Sequence, residues 1–136
     1  MTKLEWMPRC EGKAAPAPRS FHAAAAVPMP AASTSGAAPE SAVFVLGGLG
    51  REGETFKGLD VLSTATWEWR ACAPPEGPFP ADRASCSVAA VGSQLVAFGG
   101  SVVLEEGASA SAESFAVDVG ASVQALAAAP PATQAA

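Results

Sequence analysis

The sequence has 136 residues, enough for one small domain or part of a larger one. Its hydrophobic fraction of 49% rests largely on alanine, which buries little area, so any core must come from short clusters of Val, Leu, Phe, Trp and Met. The net charge of −5 comes with no basic cluster, and no Lys or Arg follows Arg83; this argues against a phosphate-binding footprint and predicts repulsion from nucleic acid and anionic membranes.

Ile, Asn and Tyr are absent while Ala, Gly and Pro are abundant, the bias of a GC-rich gene. Residues 1–10 lack the apolar segment of a secretory leader, and no run of about 18 apolar residues could span a bilayer. Three cysteines, Cys10, Cys72 and Cys86, are too few and too scattered for a disulfide framework. Free thiols and a cytoplasmic location, with no membrane association, are therefore expected.

In chain order, the first element is Glu5-Trp6 running to Cys10. Next come Arg19 and the apolar stretch to Val27, then Ala42-Val43-Phe44-Val45-Leu46 closed by Gly47-Gly48. Val61-Leu62-Ser63 and the Trp67-Glu68-Trp69 stretch to Cys72 follow. The same elements then return in the same order. Arg83 leads into Ser87–Val91, Gln94–Phe98 is closed by Gly99-Gly100, and Ala116-Val117-Asp118 precedes Ser122–Ala129. Each stretch is short, bounded by Gly or Pro, and rich in Val, Phe or Trp, which predicts strands. The run Ala23–Ala26 favours helix on propensity, but its repeat partner Ser87–Val91 reads as strand, and the repeat decides.

The uneven spacing of the two copies locates an insertion. Residues 28–41 separate the first two strands of the first copy, whereas Gly92-Ser93 alone makes that turn in the second. The insert is low-complexity and expected to be disordered, as is the Ala/Pro tail over 127–136.

A period of about 50 residues carrying a Gly pair, a Trp and a Pro-to-Arg step resembles the Kelch repeat. Val61–Trp69, Pro80 to Arg83 and Leu95–Gly100 carry the likeness, which covers most of residues 4–126. The markers are Trp6, Arg19, Gly47, Gly48, Trp67, Trp69, Arg83, Gly99, Gly100 and Asp118. Ser63 stands where the family favours Asp, and Val123 and Gln124 stand where Trp is usual. The resemblance implies an all-β chain of four-stranded antiparallel propeller blades. Residues 1–10 would be the outer strand of a preceding blade, 11–72 a first blade and 73–126 a second. Two blades leave a propeller incomplete, since closure takes about four to eight. Either the chain is a piece of a longer one or further blades come from other chains, including copies of itself. Trp6 and Trp69 are expected to be buried on outer strands.

Competing chemistry finds little footing. Gly48-Leu49-Gly50-Arg51-Glu52-Gly53 matches a dinucleotide fingerprint, but Gly58 interrupts the helix that the motif needs, so a Gly-rich loop between strands is expected. The resemblance also reaches galactose-oxidase-like copper enzymes, whose metal ligands include Tyr; this sequence has none and a single His22. His22 and Cys86 occupy equivalent repeat positions and so should not meet as a nucleophile pair. No catalytic residue, cofactor site or metal site is expected.

Loops carry function on such scaffolds. The links between blades, 10–18 and 73–82, should share one end with the second-to-third-strand loops, 48–58 and 100–113. Candidate partner-binding residues there are Arg51, Glu52, Glu54, Lys57, Glu76, Asp82, Glu105 and Glu106. The resemblance implies a protein-interaction module or scaffold. The alternatives are the non-catalytic part of a larger Kelch-type enzyme, or a degraded gene product without function.

Overall fold

The computed structural model describes residues 4–7, 15–30, 40–56, 58–72, 83–104 and 107–128. Strands dominate them. The first four form one antiparallel sheet in sequence order: β1 (Ala23–Pro28), β2 (Ser41–Leu46), β3 (Leu59–Ser63) and β4 (Glu68–Ala71). This is the four-stranded unit that the sequence predicts for the first repeat. The helix-favouring alanines sit in β1 because each pairs across to β2, from Ala23 with Leu46 to Ala26 with Val43. Ladder pairing and burial override propensity there.

Two short strands and a hairpin follow the second Arg. β5 (Arg83–Ala84), β8 (Ser101–Leu104) and β9 (Gly107–Ala110) make one small sheet. A second sheet joins β6 (Ser87–Val91), β7 (Gln94–Phe98) and β10 (Ser114–Asp118) in the order β10-β7-β6. β6, β7 and β10 are the repeat equivalents of β1, β2 and β3, and they pair in the same order and sense. The segment read as a plain loop over 100–113 instead folds largely as the β8–β9 hairpin. Its β-branched Val102-Val103 favours pairing, and Ala84 supplies an edge opposite Ser101.

The fourth strand expected over 122–129 is replaced by a helix, α1 (Gly120–Ala128). The two Trp residues of the first copy are here Val123 and Gln124, and the flanking Ala, Leu and Gln favour helix once no large aromatic needs a pleated surface. Asp118 Oδ1 accepts the Gly120 N–H at 2.8 Å, and the Val123 N–H donates to the Val119 carbonyl at 2.9 Å, which starts the helix. Val123 and Leu126 then turn into the core. Ala127 and Ala128 belong to this helix and not to the predicted tail. Likewise Pro28 closes β1, Met29 donates to Glu40 at 2.9 Å and is buried, and Ser41 opens β2, so the ends of the predicted insert are ordered hairpin. The rest of the insert, 31–39, and of the tail, 129–136, lies outside the described residues.

The core lies between the two main sheets. One face of the first sheet presents Val27, Phe44, Leu46, Leu59 and Val61. The second sheet answers with Leu95, Ala97, Val88, Ala90 and Val117, and Cys86 joins the cluster. Each large aliphatic or aromatic side chain buried there contributes about 1.5–3 kcal/mol. α1 closes one end of this cluster.

The tryptophans depart from expectation. Residues 4–7 form no strand, and Trp6 is fully exposed. Among the described residues no strand pairs with the outer edge of β10, where the repeat would place such a segment. Trp69 does lie on the outermost strand, β4, but only half-buried. Its register with Leu62 and Val43 puts it on the face turned away from the second sheet. It therefore does not wedge between these two sheets. Trp67 sits in the turn before β4 with a left-handed φ of 59°.

Candidate functional site

The candidate site is the end of the molecule where Arg19 and Arg83 meet the glycines that follow β2 and β7. It is organised by the two repeated arginines. Arg83 leads into the second sheet and is 1% exposed. Its NH1 donates to the Gly99 carbonyl at 2.8 Å, NH2 lies 3.7 Å from Glu113 Oε1, and its guanidinium carbon stands 5.0 Å from the centre of the Phe115 ring. Arg19 repeats the arrangement one unit earlier. Its NH1 donates to the Gly47 carbonyl at 3.2 Å, NH2 pairs with Asp60 at 3.3 Å, and it stacks on Phe56 at 4.0 Å. Asp60 and Phe115 are repeat equivalents, so one position offers an acid in the first unit and a ring in the second.

The backbone around each arginine also repeats. Phe21 and Ser85 are equivalent, and both take left-handed φ values, 58° and 61°. The Ser85 N–H donates to the Phe21 carbonyl at 2.8 Å, joining the units directly. Gly48 N–H donates to the Arg83 carbonyl at 3.0 Å across the same junction. A Cβ at Gly47 would collide with that carbonyl oxygen. Within each unit, a Cβ at Gly48 would meet the Ser20 carbonyl at 2.9 Å, and one at Gly100 the Ala84 carbonyl at 2.7 Å. The Gly pairs thus permit backbone contact that any side chain would block.

The loop between β2 and β3 is tied to the incoming link. Ser20 and Leu49 exchange backbone hydrogen bonds at 2.9 and 2.7 Å, and Leu49 bridges on to Thr55. Beyond it, Arg51 and Glu52 form an exposed turn, closed by Gly53 N–H to Gly50 carbonyl at 3.1 Å. Glu54 is exposed too, but its carboxylate accepts the Glu52 N–H at 3.0 Å and so shapes the turn. The G-x-G-x-x-G stretch is this turn, and the strand β3 follows it, as the sequence predicts. Of the eight candidate partner-binding residues, Arg51, Glu52 and Glu54 thus lie together at one loop tip. Lys57, Glu76, Asp82, Glu105 and Glu106 lie outside the described residues.

Ser63 and Asp118 share a further role that composition does not reveal. The Ser63 hydroxyl accepts the N–H of Ala65 at 3.2 Å, and Asp118 accepts that of Gly120. Each caps the backbone two residues on, which explains why Ser stands in for Asp at the first copy.

Cys72 and Cys86 are free thiols, and Cys10 lies outside the described residues. Burial pushes the Cys86 thiol up, with Arg83 and a backbone hydrogen bond pulling the other way. Burial also raises Cys72, reinforced by the charge of Asp60. Neutral thiols are poor nucleophiles and poor metal ligands. His22 packs its Cβ toward Gly48 while Cys86 packs toward Gly100, so the two stand at separate, equivalent places. Among the described residues, no three of His, Cys, Asp and Glu gather as a metal-ligand set. No helix among them is long and apolar enough to cross a membrane.

No family model matches the chain, and no curated protein matches it.

Proposed function

We propose that this chain is a pair of Kelch-type blades acting as a protein-interaction scaffold, which binds its partner through the loop end organised by Arg19 and Arg83. The observation that carries the reading is the duplicated Arg-to-Gly-carbonyl bond, present in both units with the same Gly pair. It fixes a rigid platform beneath the exposed Arg51-Glu52 turn, and rigid platforms under polar loops are where binding residues sit. The free thiols fit a reducing, cytoplasmic setting.

The test is proximity labelling in cells with the wild-type chain and with a double charge reversal, Arg51→Glu with Glu52→Arg. Neighbours lost by this variant and kept by a control change on β4, Arg70→Glu, support the loop end as the binding surface. An identical neighbour set for all three chains overturns it.

A further inference from the structure

We infer that copies of this chain stack head to tail, the exposed face of the second sheet in one copy receiving the outer face of the first sheet in the next. The inference rests on the repeat and the sheet packing, and is independent of the loop-end reading above. In the observed junction, the first sheet grips the second with Ala23, Val27, Phe44, Leu46 and Val61. The repeat equivalents of these residues are Ser87, Val91, Val96, Phe98 and Ala116. Register places all five on one face of the second sheet, and that face is open: Val91 is 62% exposed and Phe98 54%. The second unit therefore presents the same gripping surface, with all five of these residues exposed.

The occupant is fixed by the same operation. What the first sheet grips is the face carrying Val88, Ala90, Leu95 and Val117. Its equivalents in the first unit are Ala24, Ala26, Val43 and Leu62, again on one face. Ala24 and Ala26 are exposed, and Val43 and Leu62 are half-buried beside Trp69. A second copy thus offers the complement, and seating it covers the Trp69 indole.

Two junction contacts and one strand continue the pattern. Gly48 N–H to Arg83 carbonyl becomes Gly100 N–H to the Arg19 carbonyl of the next copy. Ser85 N–H to Phe21 carbonyl becomes Phe21 N–H of the next copy to Ser85 carbonyl, and Phe21 is exposed for it. The exposed Leu4–Met7 segment of the next copy aligns in sequence with β4, whose place beside β10 no described strand fills. Trp6 then faces Val117 as Trp69 faces Leu62. Such a contact joins two different surfaces, so it builds closed rings, from two copies upward, or filaments.

Multi-angle light scattering on the 136-residue chain tests this. The wild type should show mass rising with concentration from that of the monomer to that of a dimer or a larger assembly. Phe98→Glu and Ala24→Glu each alter one exposed face, and each alone should be monomeric with an unchanged far-ultraviolet spectrum. Mixed in equal amounts they should form a one-to-one dimer, because each keeps the face that the other has lost. Val91→Glu replaces Phe98→Glu if the latter misfolds. Trp6→Ala should weaken assembly at least tenfold without lowering the melting temperature of the dilute chain. A wild type that stays monomeric at several hundred micromolar, or folded variants that stay monomeric when mixed, overturns the inference.

Discussion

Arg83 donates to the carbonyl of Gly99 from a position sealed from solvent, at 2.8 Å. The bond closes the start of one unit onto the end of its own second strand. Arg19 makes the equivalent bond to Gly47 at 3.2 Å from a slightly more open site. Removing a charged donor that satisfies a buried carbonyl costs about 2–3 kcal/mol. Arg83→Met should therefore lower stability by about that amount in urea unfolding. Arg19→Met should cost about half as much, because water can replace part of what it loses. Equal losses at both sites would show that burial does not set their difference.

The Gly pairs predict a second asymmetry. Gly47 and Gly99 both hold left-handed φ values, 69° and 74°. A side chain at either carries the strain of that conformation, about 1–2 kcal/mol. At Gly47 the added Cβ also collides with the Arg83 carbonyl oxygen, whereas at Gly99 the nearest atom is the Ser111 carbonyl oxygen at 3.4 Å. Gly47→Val should thus destabilise strongly, by several kcal/mol, and Gly99→Val by about 2 kcal/mol. Thermal melts of the two variants in dilute solution give the comparison. Sequence alone treats the two positions as equal; the inter-unit contact separates them.

The strand order of the first unit was legible because repetition supplies a second reading of each weak segment. Ala23–Ala26 is ambiguous by itself and becomes a strand beside Ser87–Val91. The helix at Gly120–Ala128 was not legible from the repeat, since the aligned position promised a strand and the lost indoles removed the reason for one. Trp6 departs from its expected burial for a related cause: that burial depends on a sheet edge that this chain does not bring to it. At the loop end, position along the chain groups Arg51, Glu52 and Glu54 on one turn. It could not show that the Glu54 carboxylate is already engaged with the turn backbone.

The buried Cys86 thiol and the half-buried Cys72 thiol make stability fall in alkali. Burial raises Cys86 and Cys72 above the ordinary thiol range, so the folded chain keeps its protons to higher pH than the unfolded chain does. Their contribution is complete below the unfolded-state pKa and is lost as pH rises through the folded-state value. Denaturant midpoints should be flat from about pH 7 to 8 and decline above about pH 9, where an unfolded thiol ionises. Cys86→Ala with Cys72→Ser should flatten that decline. In the native chain at about pH 8, both thiols should react with a disulfide reagent far more slowly than in urea. Native labelling as fast as unfolded labelling would place them in contact with solvent.

Asp118 offers a test of why the second unit ends in a helix. Its carboxylate accepts the Gly120 N–H, while the equivalent Ser63 hydroxyl accepts from Ala65 and the chain there returns as β4. Both residues cap the backbone, so capping alone does not choose between helix and strand; the residues beyond do. Asp118→Ala should cost about 1 kcal/mol, the typical value of a lost N-terminal cap, with Val123 and Leu126 still holding the helix to the core. The double substitution Val123→Trp with Gln124→Trp restores the aromatic pattern of the first unit. It should reduce the helical signal in far-ultraviolet circular dichroism, because two bulky aromatics favour a pleated edge and position 124 is exposed on the helix. An unchanged helical signal would show that the Ala-rich flanks, and not the lost indoles, decide the conformation.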